Sequence, residues 1–317
     1  MNRLMLALPN WIGSISAALV VAALPFLLES TKKTVSKQDT DKELVPGNFV
    51  KLSQGVTHYK WFGPSDGQVA VIVHGLGSPS QGLSSVADGL TKSGYHVLVY
   101  DLYGRGYSDA PAGRQDRRFF LRQLIDLLES QGVKGNLTVI GYSMGGCIAT
   151  AFTSENKHRV KQLVLIAPAG ITHNEPFVGT IVRVTPVIGD WVHHLVAGPV
   201  WRKGVTAQNK GCRSEVEGIT DIQLAQVDKF GFLAAILSSL RNMLREVQES
   251  DHRDLAASNI PVIAFWGRND TTIPIRAKDI VAGWNSNIHH EVLEDAGHGL
   301  AYSHGTEIAK RLISKVK

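Results

Sequence analysis

The chain has 317 residues, 44% of them hydrophobic and 19% charged, and a formal net charge of +5. At about 150 residues per domain, that is material for one large domain or two smaller ones, with enough apolar residues for a sizeable core. Two cysteines, Cys147 and Cys212, make neither a disulfide framework nor a metal site, and no stripe of Lys and Arg interleaved with aromatic residues marks a nucleic-acid surface.

Residues 11–28 (WIGSISAALVVAALPFLL) form an 18-residue run without a charge, just long enough for a membrane-spanning helix. Pro25 falls near its end, where a kink is tolerated. A cleaved signal peptide has a shorter apolar region and a small-residue cleavage site, which Leu28, Glu29, Ser30 and Thr31 do not supply. The run therefore reads as an uncleaved anchor. Secretion after cleavage is the alternative, and a buried helix of a soluble protein is the third reading. Arg3 precedes the run, whereas Lys32, Lys33, Lys37 and Lys42 follow it, which puts the remainder of the chain on the cytoplasmic side. Residues 29–45 are polar and read as a tether, so that 1–45 form an anchor and its linker.

From residue 46 the pattern changes. Residues 48–62 look like an antiparallel hairpin. Short β-branched runs at 69–73, 96–100, 137–140, 162–166, 261–265 and 288–293 read as strands, mostly apolar throughout, as expected for strands buried on both faces of a parallel sheet. Helix-length segments at 81–93, 117–131 and 145–155 separate them. Alternating strand and helix predicts an α/β fold with a mostly parallel central sheet. No internal repeat appears. Residues 171–250 break the rhythm: no clear strand, Pro176, Pro186 and Pro199 as punctuation, and apolar residues from Phe232 to Val247 at helical spacing, which predict one amphipathic helix. This stretch reads as a helical cap inserted between two parts of the core, 46–170 and 251–317, over the sheet edge where open α/β folds bind ligands.

The predicted strand 137–140 ends in Gly141-Tyr142-Ser143-Met144-Gly145-Gly146, and a helix follows. This is G-x-S-x-G between strand and helix, the context in which the motif carries meaning. Such a turn lifts the serine Oγ above the sheet, and glycines flank it because side chains there would clash. The helix that follows points its N-terminus at the site, where the Met144 N–H can donate to an oxyanion. Cys147, on that helix, reads as a small buried apolar residue.

Over roughly residues 48–317 the chain resembles the α/β-hydrolase superfamily. The marks stand in the family's order: His74-Gly75-Leu76-Gly77 after one strand, Asp101-Leu102-Tyr103-Gly104-Arg105-Gly106-Tyr107-Ser108 after the next, the serine elbow, Trp266-Gly267-Arg268-Asn269-Asp270, and Ala296-Gly297-His298-Gly299. The resemblance implies an α/β-hydrolase fold and a serine hydrolase with Ser143 as nucleophile. The HGxG-type turn implies Leu76 N–H as the second oxyanion donor beside Met144 N–H. Triad order in this fold is Ser, acid, His. Asp270 follows a late predicted strand, and no carboxylate follows the preceding one in Ala167-Pro168-Ala169-Gly170. His298 follows the last strand, whereas His289 and His290 fall within it and His304 on the next helix. Asp270 and His298 are thus the expected acid and base. His74 is expected to brace its loop, Asp101 to hold backbone amides in a turn, and Asp295 to hold its own loop.

The overall plan resembles membrane-anchored monoacylglycerol-lipase-like members of the superfamily. That implies hydrolysis of a single-chain, lipid-like carboxylic ester through an acyl-enzyme, with no metal and no organic cofactor. A thioesterase, an acyltransferase, a C–C bond hydrolase, or a ligand receptor with a weak triad are the alternatives. A basic, apolar cap (Arg183, Arg202, Lys203, Lys210 and Arg213 against Glu175 and Asp190) could rest on an anionic membrane surface. The sequon Asn136-Leu137-Thr138 leads directly into the elbow strand and is expected to be inaccessible after folding.

Overall fold

A computed structural model of the chain describes residues 10–32, 45–171 and 185–316. The expected hairpin is present as β1 (Asn48–Lys51) and β2 (Val56–Phe62). There follow β3 (Gln68–Val73), β4 (Tyr95–Tyr100), β5 (Leu137–Tyr142), β6 (Val160–Ile166), β7 (Val262–Gly267) and β8 (Ile288–Leu293). They form one sheet in the order β1-β2-β4-β3-β5-β6-β7-β8. β2 pairs antiparallel with both β1 and β4, and every other pairing is parallel. The chain thus has the α/β-hydrolase fold expected of it.

Period-two alternation divides the strand residues between two apolar layers, because successive side chains point to opposite faces. Val71, Val139, Leu163 and Leu165 face one layer, completed by helices α3 (Arg117–Ser130) and α4 (Met144–Glu155). Ile72, Ile140, Val164 and Ile166 face the other, against α2 (Ser84–Thr91). Helix α3 begins where Asp116 accepts from the Phe119 N–H at 3.1 Å, a side-chain N-cap. Helix α2 is shorter than the stretch 81–93 suggested, because the chain enters it through a 3₁₀ turn, Ser80–Leu83.

Between β6 and β7 the described chain is helical: α5 (Ile188–Asn209), α6 (Ile219–Ala225), α7 (Phe232–Arg241) and α8 (Glu249–Ala256). Helices α9 (Arg276–Trp284), α10 (Leu300–Ser303) and α11 (Gly305–Val316) follow in the core. The single amphipathic helix expected to run on to Val247 is corrected: α7 stops at Arg241. There the Asn242 side chain donates back to Ser238 O at 2.7 Å, and the Met243 N–H is drawn off to Gln115 O at 3.3 Å. The opening of the cap, 172–184, and most of the tether, 33–44, lie outside the described residues.

Helix α1 (Asn10–Ser30) forms where the apolar run lies, but among the described residues no helix is long and apolar enough to cross a membrane, so a transmembrane anchor finds no support there. The C-terminal half of α1 lies on the cap instead. Trp191 Nε1 donates to Val21 O at 3.1 Å, the Phe26 and His194 rings are 5.4 Å apart, and the Gly231 N–H donates to the buried Glu29 carboxylate at 2.9 Å. The sequon needs a second correction. Asn136 is exposed, at φ 59 in the turn before β5, and only Leu137 and Thr138 are sealed into the strand.

Burial pushes four imidazoles, His74, His193, His252 and His290, down to about 4. Their folded values lie below the ordinary 6.5, so between the two the unfolded chain binds more protons. Their contribution to stability is complete above about pH 6.5 and is lost as the pH falls towards 4. The expected result is a Tm that is flat from pH 8 to 6.5 and then falls by at least about 5 °C by pH 4.5. Thermal melts across that range check it; an unchanged Tm would mean that these rings are protonated within the fold.

Candidate active site

β5 runs into its turn without a break. Ser143 sits at φ 53 and ψ −118, a conformation that costs a non-glycine residue about 1–3 kcal/mol. A Cβ on Gly141 would lie 2.3 Å from Gly145 O, and one on Gly145 would lie 2.1 Å from Val73 O, so neither position admits a side chain. The next strand holds the strained turn in place. Ser143 N–H donates to Ile166 O at 3.0 Å, and Ser143 O accepts from Gly146 N–H and Ala169 N–H at 2.8 and 3.1 Å.

His298 lies in the loop after β8, with Nε2 3.0 Å from Ser143 Oγ and Nδ1 2.8 Å from Asp270 Oδ2. Asp270 follows β7 and is almost wholly buried. Its second oxygen, Oδ1, accepts from the N–H groups of Thr272 and Ile273, both at 2.8 Å. Three residues from loops far apart in sequence thus form one hydrogen-bonded chain at the C-terminal edge of the parallel strands. Met144 opens α4, and Leu76 lies in the turn after β3. That turn abuts the serine: a Cβ on Gly75 would lie 3.2 Å from Ser143 Cβ.

The supporting residues also have places. His74 Nδ1 meets Gly75 O, and His74 Nε2 accepts from Leu102 N–H, each at 2.8 Å; with its pKa lowered by burial the ring is neutral at pH 7 and ties the turns after β3 and β4 together. Asp101 accepts from Ser80 N–H and Tyr107 N–H and pairs with His58 Nδ1 at 2.8 Å, the turn-holding role expected of it. Those partners hold its carboxyl below the usual range against the opposing effect of burial, which is the largest single influence on it. Asp295 is exposed, 3.3 Å from His304 Nε2 and away from the triad chain. His289 pairs with Glu291, and His290 accepts from Trp266 Nε1.

Two contacts at the site escaped sequence reasoning. Tyr142 donates its hydroxyl to His298 O at 2.9 Å and so fixes the backbone that carries the imidazole. The x before Ser in G-x-S-x-G is unconstrained by the motif, so nothing marked it. Trp201, on cap helix α5, lays its ring over the turn after β3, where a Cβ on Gly77 would fall 1.8 Å from the ring. Trp201 packs edge-on to Phe232 and, with Leu76, joins the apolar cluster of Val227, Leu233 and Ile236. The underside of the cap facing Leu76 and Gly77 is therefore apolar, with the Gln223 amide donating to Ser78 Oγ at its edge.

The family described as Hydrolase_4, serine aminopeptidase S33, matches residues 64–302. Lipase 1 of Psychrobacter immobilis is 29% identical over 144 residues, covering 45% of this chain and 45% of that protein. The match therefore spans less than half the length of that relative. A 2-hydroxymuconate semialdehyde hydrolase of Pseudomonas putida is 24% identical over 256 residues, covering 77% of this chain and 85% of that protein. Among solved structures, one described as a membrane phospholipase A and bacterial virulence factor superposes with a TM-score of 0.68 at 19% identity, over 97% of this chain and 96% of that one. At that identity the likeness is one of fold.

Proposed function

We propose, for a chain that belongs to the Hydrolase_4 family, serine aminopeptidase S33, hydrolysis of a carboxylic ester of a single-chain lipid through an acyl-enzyme. The observation that carries this reading is the continuous chain from Ser143 Oγ through His298 to Asp270, at 3.0 and 2.8 Å. In this mechanism His298 Nε2 takes the Ser143 proton as Oγ attacks the acyl carbon. The N–H groups of Leu76 and Met144 receive the oxyanion, and the positive end of α4 adds to the stabilisation. Collapse expels the alcohol, to which His298 returns the proton. Water then enters, is deprotonated by His298 and releases the acid from Ser143. Asp270 fixes the imidazole tautomer and stabilises the imidazolium throughout. Bonds and protons balance without an added group, so the reaction calls on no metal or organic cofactor.

The lipid preference rests on the apolar underside of the cap at Leu76, Trp201 and Phe232, and the partial likeness to a lipase supports it. Contact with a lipid surface belongs to the same reading. Val20, Val21, Leu24, Phe26, Leu27 and Leu28 of α1 are exposed, and so are Ile188, Leu195, Val196 and Val200 of α5, the helix that α1 touches. One substrate panel tests all of it: monoacylglycerol, a short p-nitrophenyl ester, an acyl thioester and an aminoacyl p-nitroanilide, each with and without anionic phospholipid vesicles. The expected order places monoacylglycerol first, with the protein sedimenting with the vesicles. A preference for the anilide or the thioester would overturn the ester reading, and protein left in the supernatant would overturn the surface reading.

A further inference from the structure

Arg105 is 1% exposed, and no carboxylate among the described residues pairs with it. Its five N–H groups are nevertheless all used. Nε donates to Leu76 O at 3.0 Å, Nη1 to Tyr103 O at 2.8 Å and to Gln115 Oε1, and Nη2 to Ser239 Oγ at 2.8 Å and Ala235 O at 3.3 Å. Leu76 lies in the turn after β3, Tyr103 in the turn after β4, and Ala235 and Ser239 on cap helix α7. Gln115 closes the set by accepting also from Ser239 Oγ at 2.7 Å. Placing an ion here without a counter-charge is costly, and burial pushes the guanidinium down to about 9, which still leaves it charged at neutral pH. Packing alone would be served as well by an apolar side chain.

We propose that Arg105 is a positioning residue for the oxyanion hole, fixing the Leu76 carbonyl and making its placement depend on the seating of cap helix α7. The inference rests on the acyl-transfer reading above. The held carbonyl lies one peptide beyond the donor N–H of Leu76. The peptide that carries the donor N–H has its own carbonyl, Gly75 O, held by His74 Nδ1 at 2.8 Å, so the bond to Leu76 O fixes the other side of the same residue and stops the backbone turning about Leu76. The far prongs of the Arg105 fork end on α7. The same helix carries Phe232, which packs on Trp201, which in turn covers Gly77. The cap thus grips the turn from two sides, by hydrogen bonds through Arg105 and by ring contact through Trp201.

The test is kcat per active site, with sites counted by fluorophosphonate titration, for wild type, Arg105→Lys, Arg105→Met and Ser239→Ala on a short soluble ester. A merely structural role lowers the Tm and the number of titrated sites and leaves kcat per site intact. The positioning role predicts a fall in kcat per site of about 10²-fold for Arg105→Met and about tenfold for Arg105→Lys, with KM within about twofold of wild type. Ser239→Ala keeps the cap in place and removes one prong, so a fall of about threefold is expected. Should Arg105→Met fail to fold, the other two variants decide. Arg105→Lys at the wild-type rate per site overturns the positioning role, and Ser239→Ala at that rate overturns the tie to the cap. A wild type that neither titrates nor turns over overturns the hydrolase reading, and this inference with it.

Discussion

Ser143→Ala is expected to lower kcat by about 10⁶-fold and to abolish labelling by a fluorophosphonate probe, with little change in Tm. In the proposed mechanism the effect on chemistry is large because the histidine and the acid accomplish little without a nucleophile to activate. The effect on stability is small because the turn does not hang on the hydroxyl. Backbone bonds from Ser143 to Ile166, Gly146 and Ala169 hold it, and alanine keeps all of them. Alanine at φ 53 bears the same backbone strain as serine, so folded and unfolded states shift together. The comparison is made on purified protein with a soluble p-nitrophenyl ester and a melting curve. A variant that retained more than about one part in a hundred of the wild-type rate would mean that another group attacks the ester.

Asp270→Asn is the second large effect, a fall in kcat of about 10⁴-fold with the fold preserved. The reason is specific to the way Asp270 is held. One oxygen accepts from the N–H groups of Thr272 and Ile273, while the other accepts from His298 Nδ1. An asparagine must keep its carbonyl oxygen on the two N–H groups, because its amide there would set donor against donor. The amide NH₂ is then driven towards His298, whose Nδ1 must accept. The ring proton moves to Nε2, which faces Ser143 Oγ as a donor and has no lone pair with which to take the serine proton. Raising the pH returns little of the lost rate in this account, since the tautomer is at fault and not the charge. A pH–rate profile for the variant together with a melting curve tests it. Wild-type kcat in a folded Asp270→Asn protein would remove Asp270 from the mechanism.

Much of this molecule was legible in the residues. The strands were found because parallel strands covered on both sides are apolar throughout, and Val71 to Val73 or Leu163 to Ile166 leave no polar residue to blur the pattern. The elbow announced itself because only glycine fits at 141 and 145. What escaped depends on contacts between distant segments. Asn242, bonded back to Ser238 O, is the one local sign that α7 ends at Arg241; the other cause is the Met243 N–H, which leaves for a carbonyl at Gln115, far earlier in the chain. Arg105 stands among glycines in a loop motif, where nothing local marks it; only the fold surrounds it with carbonyls from the turn after β3 and from the cap. The apolar run at 11–28 satisfies the length and composition of a span, yet its C-terminal half meets α5 through Trp191 and His194, a partnership that composition does not encode.

The order of strands has a consequence for how the protein comes into being. β6 and β7 lie side by side, yet the whole cap separates them in sequence, from Ile166 to Val262. Their pairing must close a long loop, a slow kind of event that waits for the later segment to be synthesised. Until then β6 is an open edge of bare apolar strand, Leu163 to Ile166, of the sort that invites association with other chains. The nascent chain at that stage already carries Ser143 but neither Asp270 nor His298. Under the proposed mechanism, the serine gains its base only once β7 and β8 have joined the sheet.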